Sequence, residues 1–198
     1  MPNDFRIERA SDRHVGHAET ICAAMEESAI ARGTGIGTRT PQQIREKMRA
    51  GKAIIATDAS GEWAGFCYLE AWENETFVSN SGLIVAPRFR MRGLAERLKQ
   101  RLFRLCRKLF PQAKLFGITT SQAVMNLNTK LGFKPVAFGA LPKDPTFWAG
   151  CAACRNHDIL ARTNGTYCLC TGMVFEPKKK VLKETTEVGE AERGGATG

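Results

Sequence analysis

The run Arg90-Met91-Arg92-Gly93-Leu94-Ala95 holds residue types that suit a phosphate site. A helix start leaves several backbone N–H groups without partners in the helix, and these carry partial positive charge. Gly93 has no Cβ, so an anion can approach the backbone closely. Arg90 and Arg92 add charge-assisted donors. Alone, R-x-x-G-x-A recurs by accident, as a basic helix start after an ordinary turn. Its setting is more specific. Ser81 to Ala86 is a short apolar run ended by Pro87, which suits a buried strand. From Leu94 the apolar residues Leu98, Leu102, Leu105 and Leu109 recur at helical spacing. Arg97, Lys99, Arg101, Arg104, Arg107 and Lys108 lie between them, and such a charge run ordinarily forms a solvated face. Lys114 to Thr119 reads as a second strand.

A second group with possible chemistry is Cys151-Ala-Ala-Cys154 with Cys168-Leu-Cys170. Four thiolates at short spacing can close a tetrahedral zinc site. The C-x-C pair is tighter than the usual C-x2-C, and in a strand it would put both thiols on one face. His157 could replace one thiol. The alternatives are four reduced thiols near a core, or a redox pair. Cys22, Cys67 and Cys106 sit in apolar sequence and read as buried thiols. Seven cysteines, an odd number, with no secretory leader argue against a disulfide framework.

The surrounding elements follow from periodicity. Asp4 to Ala10 reads as a first strand. Ser11 caps a helix running to about Arg32, and residues 33–37 form a glycine loop. Thr40 as N-cap and Pro41 at the first helical position open a second helix that ends near Gly51. Lys52–Thr57 and Trp63–Trp72 are strands, and Glu73-Asn74-Glu75 is a hairpin loop into the strand before the basic helix. After Phe133 come a strand at Val136–Phe138 and a last strand over Thr166–Phe175. The order is α/β around one mixed sheet. Residues 1–145 form the main domain and 146–176 a Cys-rich C-terminal extension packed on it. Residues 177–198, rich in charge and glycine, are expected to be a disordered tail.

At 198 residues the chain can bury one full core. A net charge of +9 favours polyanionic partners, either nucleic acid or a ligand carrying several phosphates. The basic residues are densest beside the proposed phosphate turn. No apolar run is long enough to span a membrane. The first residues lack the layout of a signal peptide, so the expected location is cytoplasmic.

The chain resembles the GNAT acyltransferase superfamily. The match is V-x-P-x-x-R-x-x-G-x-A from Val85 to Ala95, followed by a strand and then K-L-G-F at Lys130–Phe133. It covers about Phe5 to Leu141. The resemblance implies a GNAT-like mixed β-sheet flanked by helices. It also implies acetyl-CoA, with the pyrophosphate on Arg90, Met91, Arg92, Gly93, Leu94 and Ala95 and the pantetheine arm beside Leu83, Ile84 and Val85. Many members place a tyrosine two residues before the lysine of K-L-G-F, as the acid for the leaving thiolate. Here that position is Asn128, and an amide cannot serve.

Within the superfamily the sequence is similar to N-acetylglutamate synthase domains. The shared features are Thr38 to Arg45 (T-R-T-P-Q-Q-I-R), Thr119-Thr120, and Gly132-Phe133 followed by Leu141-Pro142. That group also lacks the tyrosine. Ser79 stands where its bacterial members tend to have Glu, and the Cys-rich end departs from the group. The implied reaction is acetyl transfer from acetyl-CoA to the α-amine of glutamate or a related amino acid. Candidate base or relay groups are Glu70, Ser79, Glu73 and Glu75, and a backbone N–H near Leu83–Val85 could hold the developing oxyanion. Arg39 matches the group's arginine, and Arg155 is a second candidate for the substrate carboxylates. Two other classes stay open. One is acetylation of another amine, such as a protein N-terminus, polyamine or drug. The other is a basic, zinc-containing nucleic-acid module, which has no recognition motif behind it. The expected partners are a small amine or amino acid rather than nucleic acid or membrane, with a homodimer as an open option.

Overall fold

The computed structural model describes residues 5–33 and 39–178. Residues 1–4, with Asp4 of the expected first strand, residues 34–37 of the expected glycine loop, Thr38 of the T-R-T-P-Q-Q-I-R run, and residues 179–198 of the expected tail lie outside it. Seven strands form one mixed sheet: β1 (Arg6–Arg9), β2 (Ala53–Thr57), β3 (Trp63–Trp72), β4 (Phe77–Val85), β5 (Lys114–Thr119), β6 (Lys134–Val136) and β7 (Thr171–Phe175). Their order is β1-β2-β3-β4-β5-β7-β6, and only the β4–β5 pair is parallel. The helices are α1 (Ala18–Arg32), α2 (Pro41–Arg49), α3 (Leu94–Leu109), α4 (Gln122–Lys130), α5 (Pro145–Ala149) and α6 (His157–Arg162). Helices flank the sheet, as the α/β reading requires.

The inner strands are apolar throughout rather than alternating. All five residues of β2 are buried, as are the first seven of β3, because both faces are covered. The α3 helix packs across β2, β3 and β4 through Leu94, Leu98 and Leu102. Thr40 and Gln43 form a reciprocal cap for α2: Gln43 N–H donates to Thr40 Oγ1 at 3.2 Å and Thr40 N–H to Gln43 Oε1 at 2.9 Å. A second apolar cluster, with Phe116, Phe138, Leu141 and Leu160, joins the last third of the chain to the sheet.

Several expectations need correction. The first helix opens as a 3₁₀ segment over Asp12–His17 before α1 starts. The strand expected at Val136–Phe138 lies at Lys134–Val136, and a 3₁₀ turn takes Phe138–Ala140. The last strand begins at Thr171, so Cys168 and Cys170 sit in the bend before it and not on a strand face. The stretch 146–176 does more than pack on the domain, since β7 pairs with β5 on one side and β6 on the other. Among the described residues, no helix is long and apolar enough to cross a membrane.

Candidate functional site

The site begins where β4 and β5 part. Their parallel ladder holds at Phe77↔Lys114, Val78↔Leu115 and Ser79↔Phe116 and then stops, although both strands continue. Opposite β3, the register shifts between Phe66 and Tyr68, where Gly82 takes φ +63°. A bulge there bends the strand. The result is a wedge in the sheet, opening into a cleft of about 490 Å³. Asn80, Leu83, Lys99 and Gly117 line its inner end, and Arg39 and Glu70 its wall.

Beyond the wedge, β4 leads through a 3₁₀ turn at Pro87–Phe89 to the basic turn. Gly93 is the N-cap of α3 with φ +71°, and no side chain caps the helix. A Cβ built on Gly93 would meet nothing within 4 Å, so the approach to the α3 N-terminus is open. Met91 is fully exposed in a left-handed conformation. Arg90 Nε donates to Val85 O at 3.2 Å, tying the turn to the end of β4. Arg92 lies over the Phe89 ring. Leu94 is buried in the core and Ala95 half-buried, while Ile84 and Val85 are buried and Leu83 half-buried at the cleft. Of the nine residues expected at the cofactor, Leu83 lines the cleft, Ile84 and Val85 end β4, and the other six form the turn and first residues of α3. The geometry suits a long ligand with an anionic end. Two buried polar atoms add to the fit: Asn80 Nδ2 and Asn128 Oδ1 have no partner within the described residues.

The catalytic candidates divide. Glu70 lines the cleft with its carboxylate paired to Lys47 Nζ. Ser79 also reaches the cleft, but its hydroxyl is engaged: it accepts from Trp72 Nε1 at 3.1 Å and donates to Glu70 O at 3.4 Å. Glu73 and Glu75 stay on the hairpin. Glu73 Oε1 accepts from the Lys143 N–H, and Glu75 is exposed. Asn128 is buried, its Nδ2 donating to Met173 Sδ at 3.6 Å.

The two arginines also part company. Arg39 is at the cleft, where Nε donates to Tyr68 Oη at 2.8 Å. Arg155 is exposed and stands beside Gly33 at the end of α1.

Lys99 was expected on a solvated basic face. It is instead 2% exposed, with Nζ donating to Asn80 Oδ1 at 3.0 Å and lying over the Phe133 ring. Burial lowers its pKa from 10.5 to about 8, and the Cys67 and Cys106 thiols partly oppose that shift. Periodicity could not reveal this, because a charged residue next to Leu98 reads as outward-facing. Tyr68 and Lys47 were missed for the same reason: their roles arise only when β3 meets α2.

All four C-terminal cysteines and His157 line one small apolar cavity of about 20 Å³. Asn156 N–H donates to Cys154 Sγ at 3.5 Å, and Cys168 Sγ donates to Asn156 O at 3.8 Å. Burial and the neighbouring thiols push Cys170 up to about 12. Among the described residues, however, no group of three or more His, Cys, Asp or Glu is placed to hold a metal ion. The expectation of zinc gains no support from these side-chain positions. Of the other cysteines, Cys67 and Cys106 are buried as expected, and Cys22 is half-buried.

Comparison with known proteins agrees with the geometry. The family described as acetyltransferase (GNAT) matches residues 23–133, more than half of the chain. Solved structures share the fold. N-acetylglutamate synthase from Neisseria gonorrhoeae, complexed with coenzyme A and N-acetyl-glutamate, aligns at TM-score 0.62 and 17% identity over 90% of this chain. This chain spans only 36% of that one. Rv2747 from Mycobacterium tuberculosis, in complex with CoA and NLQ, aligns at 0.62 and 14% identity, over 86% of this chain and 98% of that one. The Salmonella typhimurium yncA structure, with its cofactor acetyl-CoA, aligns at 0.61 and 15% identity, over 92% and 99%. At these identities the likeness establishes the fold alone. No curated protein matches the chain.

Proposed function

The chain belongs to the GNAT family of acetyltransferases, and on that premise we propose that it acetylates the α-amine of glutamate or a related amino acid, using acetyl-CoA. The observation that carries this reading is Arg39 at the wall of the cleft, held by Tyr68 beside the end of the β4–β5 wedge. A planar guanidinium matches a carboxylate in a two-point fork. Set there, it would turn an amino acid so that its amine faces the wedge.

Acetyl-CoA supplies an activated acetyl thioester. The open N-terminus of α3 and Gly93 receive its diphosphate, with Arg90 and Arg92 as nearby cations. The edge of β4 beyond Ser79 runs along its arm, and a backbone N–H near Leu83–Val85 holds the developing oxyanion. Glu70, paired with Lys47, takes the amine proton through water. Ser79 acts by positioning, since its hydroxyl fixes Trp72 to the strand.

The test is release of free thiol from acetyl-CoA with a panel of amino acids, polyamines and peptides. Turnover with glutamate or a close analogue is expected. Turnover with polyamines or peptide N-termini and no amino acid overturns the substrate while leaving the transferase intact.

For the cysteine cluster we propose one structural zinc ion on Cys151, Cys154, Cys168 and Cys170. The C-x2-C…C-x-C spacing is what supports it. The ion would have to draw the side chains inward from their present positions.

A further inference from the structure

We propose that Lys99 is the acid that protonates the leaving thiolate, in place of the tyrosine that Asn128 replaces. The proposal rests on the acetyl-CoA reading above.

The placement is specific. Asn80 follows Ser79, the last residue of the β4–β5 ladder, so it marks the apex of the wedge. Lys99 reaches this apex from α3 and is held there by Asn80 Oδ1 at 3.0 Å. Gly117 closes the other side: a Cβ on it would lie 3.6 Å from Asn80 O and 3.9 Å from Asn128 Nδ2. Lys99, Asn80, Gly117 and Asn128 thus surround one point. Lys99 is the only ionisable side chain among these four.

A buried ammonium with one neutral hydrogen-bond partner is costly to the fold, and groups kept at such a cost cluster at functional sites. No carboxylate pairs with Lys99 in any described ion pair. The ionisable groups facing it are the thiols of Cys67 on β3 and Cys106 on α3 itself. Both are held neutral by burial, with Cys106 pushed up to about 12 and Cys67 further. Among the described residues facing the apex, Lys99 therefore carries the charge near neutral pH. With its pKa lowered to about 8, the ammonium is acidic enough to give its proton to a thiolate of ordinary basicity, about 8.5.

The step balances. The carbonyl carbon–sulfur bond breaks and its electron pair stays on sulfur. A proton moves from Lys99 Nζ to that sulfur, leaving a neutral amine. The acceptor nitrogen forms the new bond to the carbonyl carbon and loses two protons in going from ammonium to amide: one, taken through Glu70 and water, restores Lys99, and the other is released to solvent.

The test reads the thiol of bound coenzyme A by thiolate absorbance in the ultraviolet, which needs no acceptor and no turnover. Wild-type protein should hold the bound thiol's pKa below its value in free coenzyme A. In Lys99→Met it should rise by about one unit or more, a tenfold shift in the ionisation constant. Lys99→Arg, which keeps the charge, should retain part of the lowering. In turnover, Lys99→Met should lose about a hundredfold or more in kcat while coenzyme A affinity stays within a few-fold. Equal thiol pKa values in wild type and Lys99→Met, with coenzyme A bound to both, overturn the proposal. Wild-type protein that binds no coenzyme A overturns this inference together with the function beneath it.

Discussion

A Cβ placed on Gly82 would stand 2.4 Å from Cε1 of Tyr68, so the bulge of β4 and the tyrosine that holds Arg39 are in direct contact. The ring fits only because Gly82 has no side chain, and φ +63° at that position independently favours glycine. Gly82→Ala is expected to displace Tyr68 and, with it, Arg39. Backbone strain and the clash together should cost about 2 kcal/mol or more of stability, read by denaturant unfolding. In the folded fraction, KM for the amino acid should rise more than KM for acetyl-CoA.

Arg39 itself gives a sharper test. Arg39→Ala should lower kcat/KM for the amino acid by about ten- to a hundredfold and leave acetyl-CoA binding alone. Arg39→Lys keeps charge without the fork and should recover only part of the loss. Intact glutamate kinetics in Arg39→Ala would remove this residue from the carboxylate site.

Gly93→Asp places negative charge where the diphosphate is expected. The Cβ itself meets nothing within 4 Å, so the fold should survive with only a left-handed backbone penalty. Calorimetry should show acetyl-CoA affinity falling at least about tenfold. Gly93→Ala supplies the same backbone strain without the charge and should bind markedly better. Equal binding by both variants would locate the phosphates elsewhere.

The buried ammonium of Lys99 predicts a pH signature in stability. Its folded pKa is about 8 against 10.5 when exposed, so between those values the unfolded chain binds more protons. Stability from this group therefore rises with pH across that window, having been reduced below it. The stability difference, Lys99→Met minus wild type, should shrink by an amount on the order of a few kcal/mol from pH 8 to 10.5. A difference that stays flat across that range would mean the amine is hydrated.

Metal content tests the cysteine cluster. Protein purified without chelator should carry about one zinc per chain, and adding zinc to stripped protein should release protons from the thiols. The Cys168→Ser variant should lose the metal and some thermal stability. Metal-free protein that is equally stable would leave four reduced thiols.

Much of this architecture was legible in the sequence. The apolar run ended by Pro87, the glycine turn and the 3.6-residue spacing of α3 act over short range, and the structure follows them. Thr40 and Gln43 cap α2 as their types suggest. Less legible was whatever depends on partners distant in the chain. Lys99 follows the helical pattern of a surface residue, and only the parting of β4 from β5 gives it an interior place. Ser79 reads as a candidate relay, but Trp72 Nε1 reaches its hydroxyl only when the hairpin closes. The short helices α5 and α6 carry too few apolar residues to show a period.

The insertion of β7 between β5 and β6 bears on how the protein is made. Until residues 171–175 dock, β5 presents an open edge carrying Leu115 and Phe116, and β6 has no neighbour at all. Such edges invite pairing with other chains. Closing the sheet joins segments far apart in sequence, which slows folding. The nascent wedge is thus exposed during synthesis, and truncation before Thr171 is expected to leave an aggregation-prone fragment.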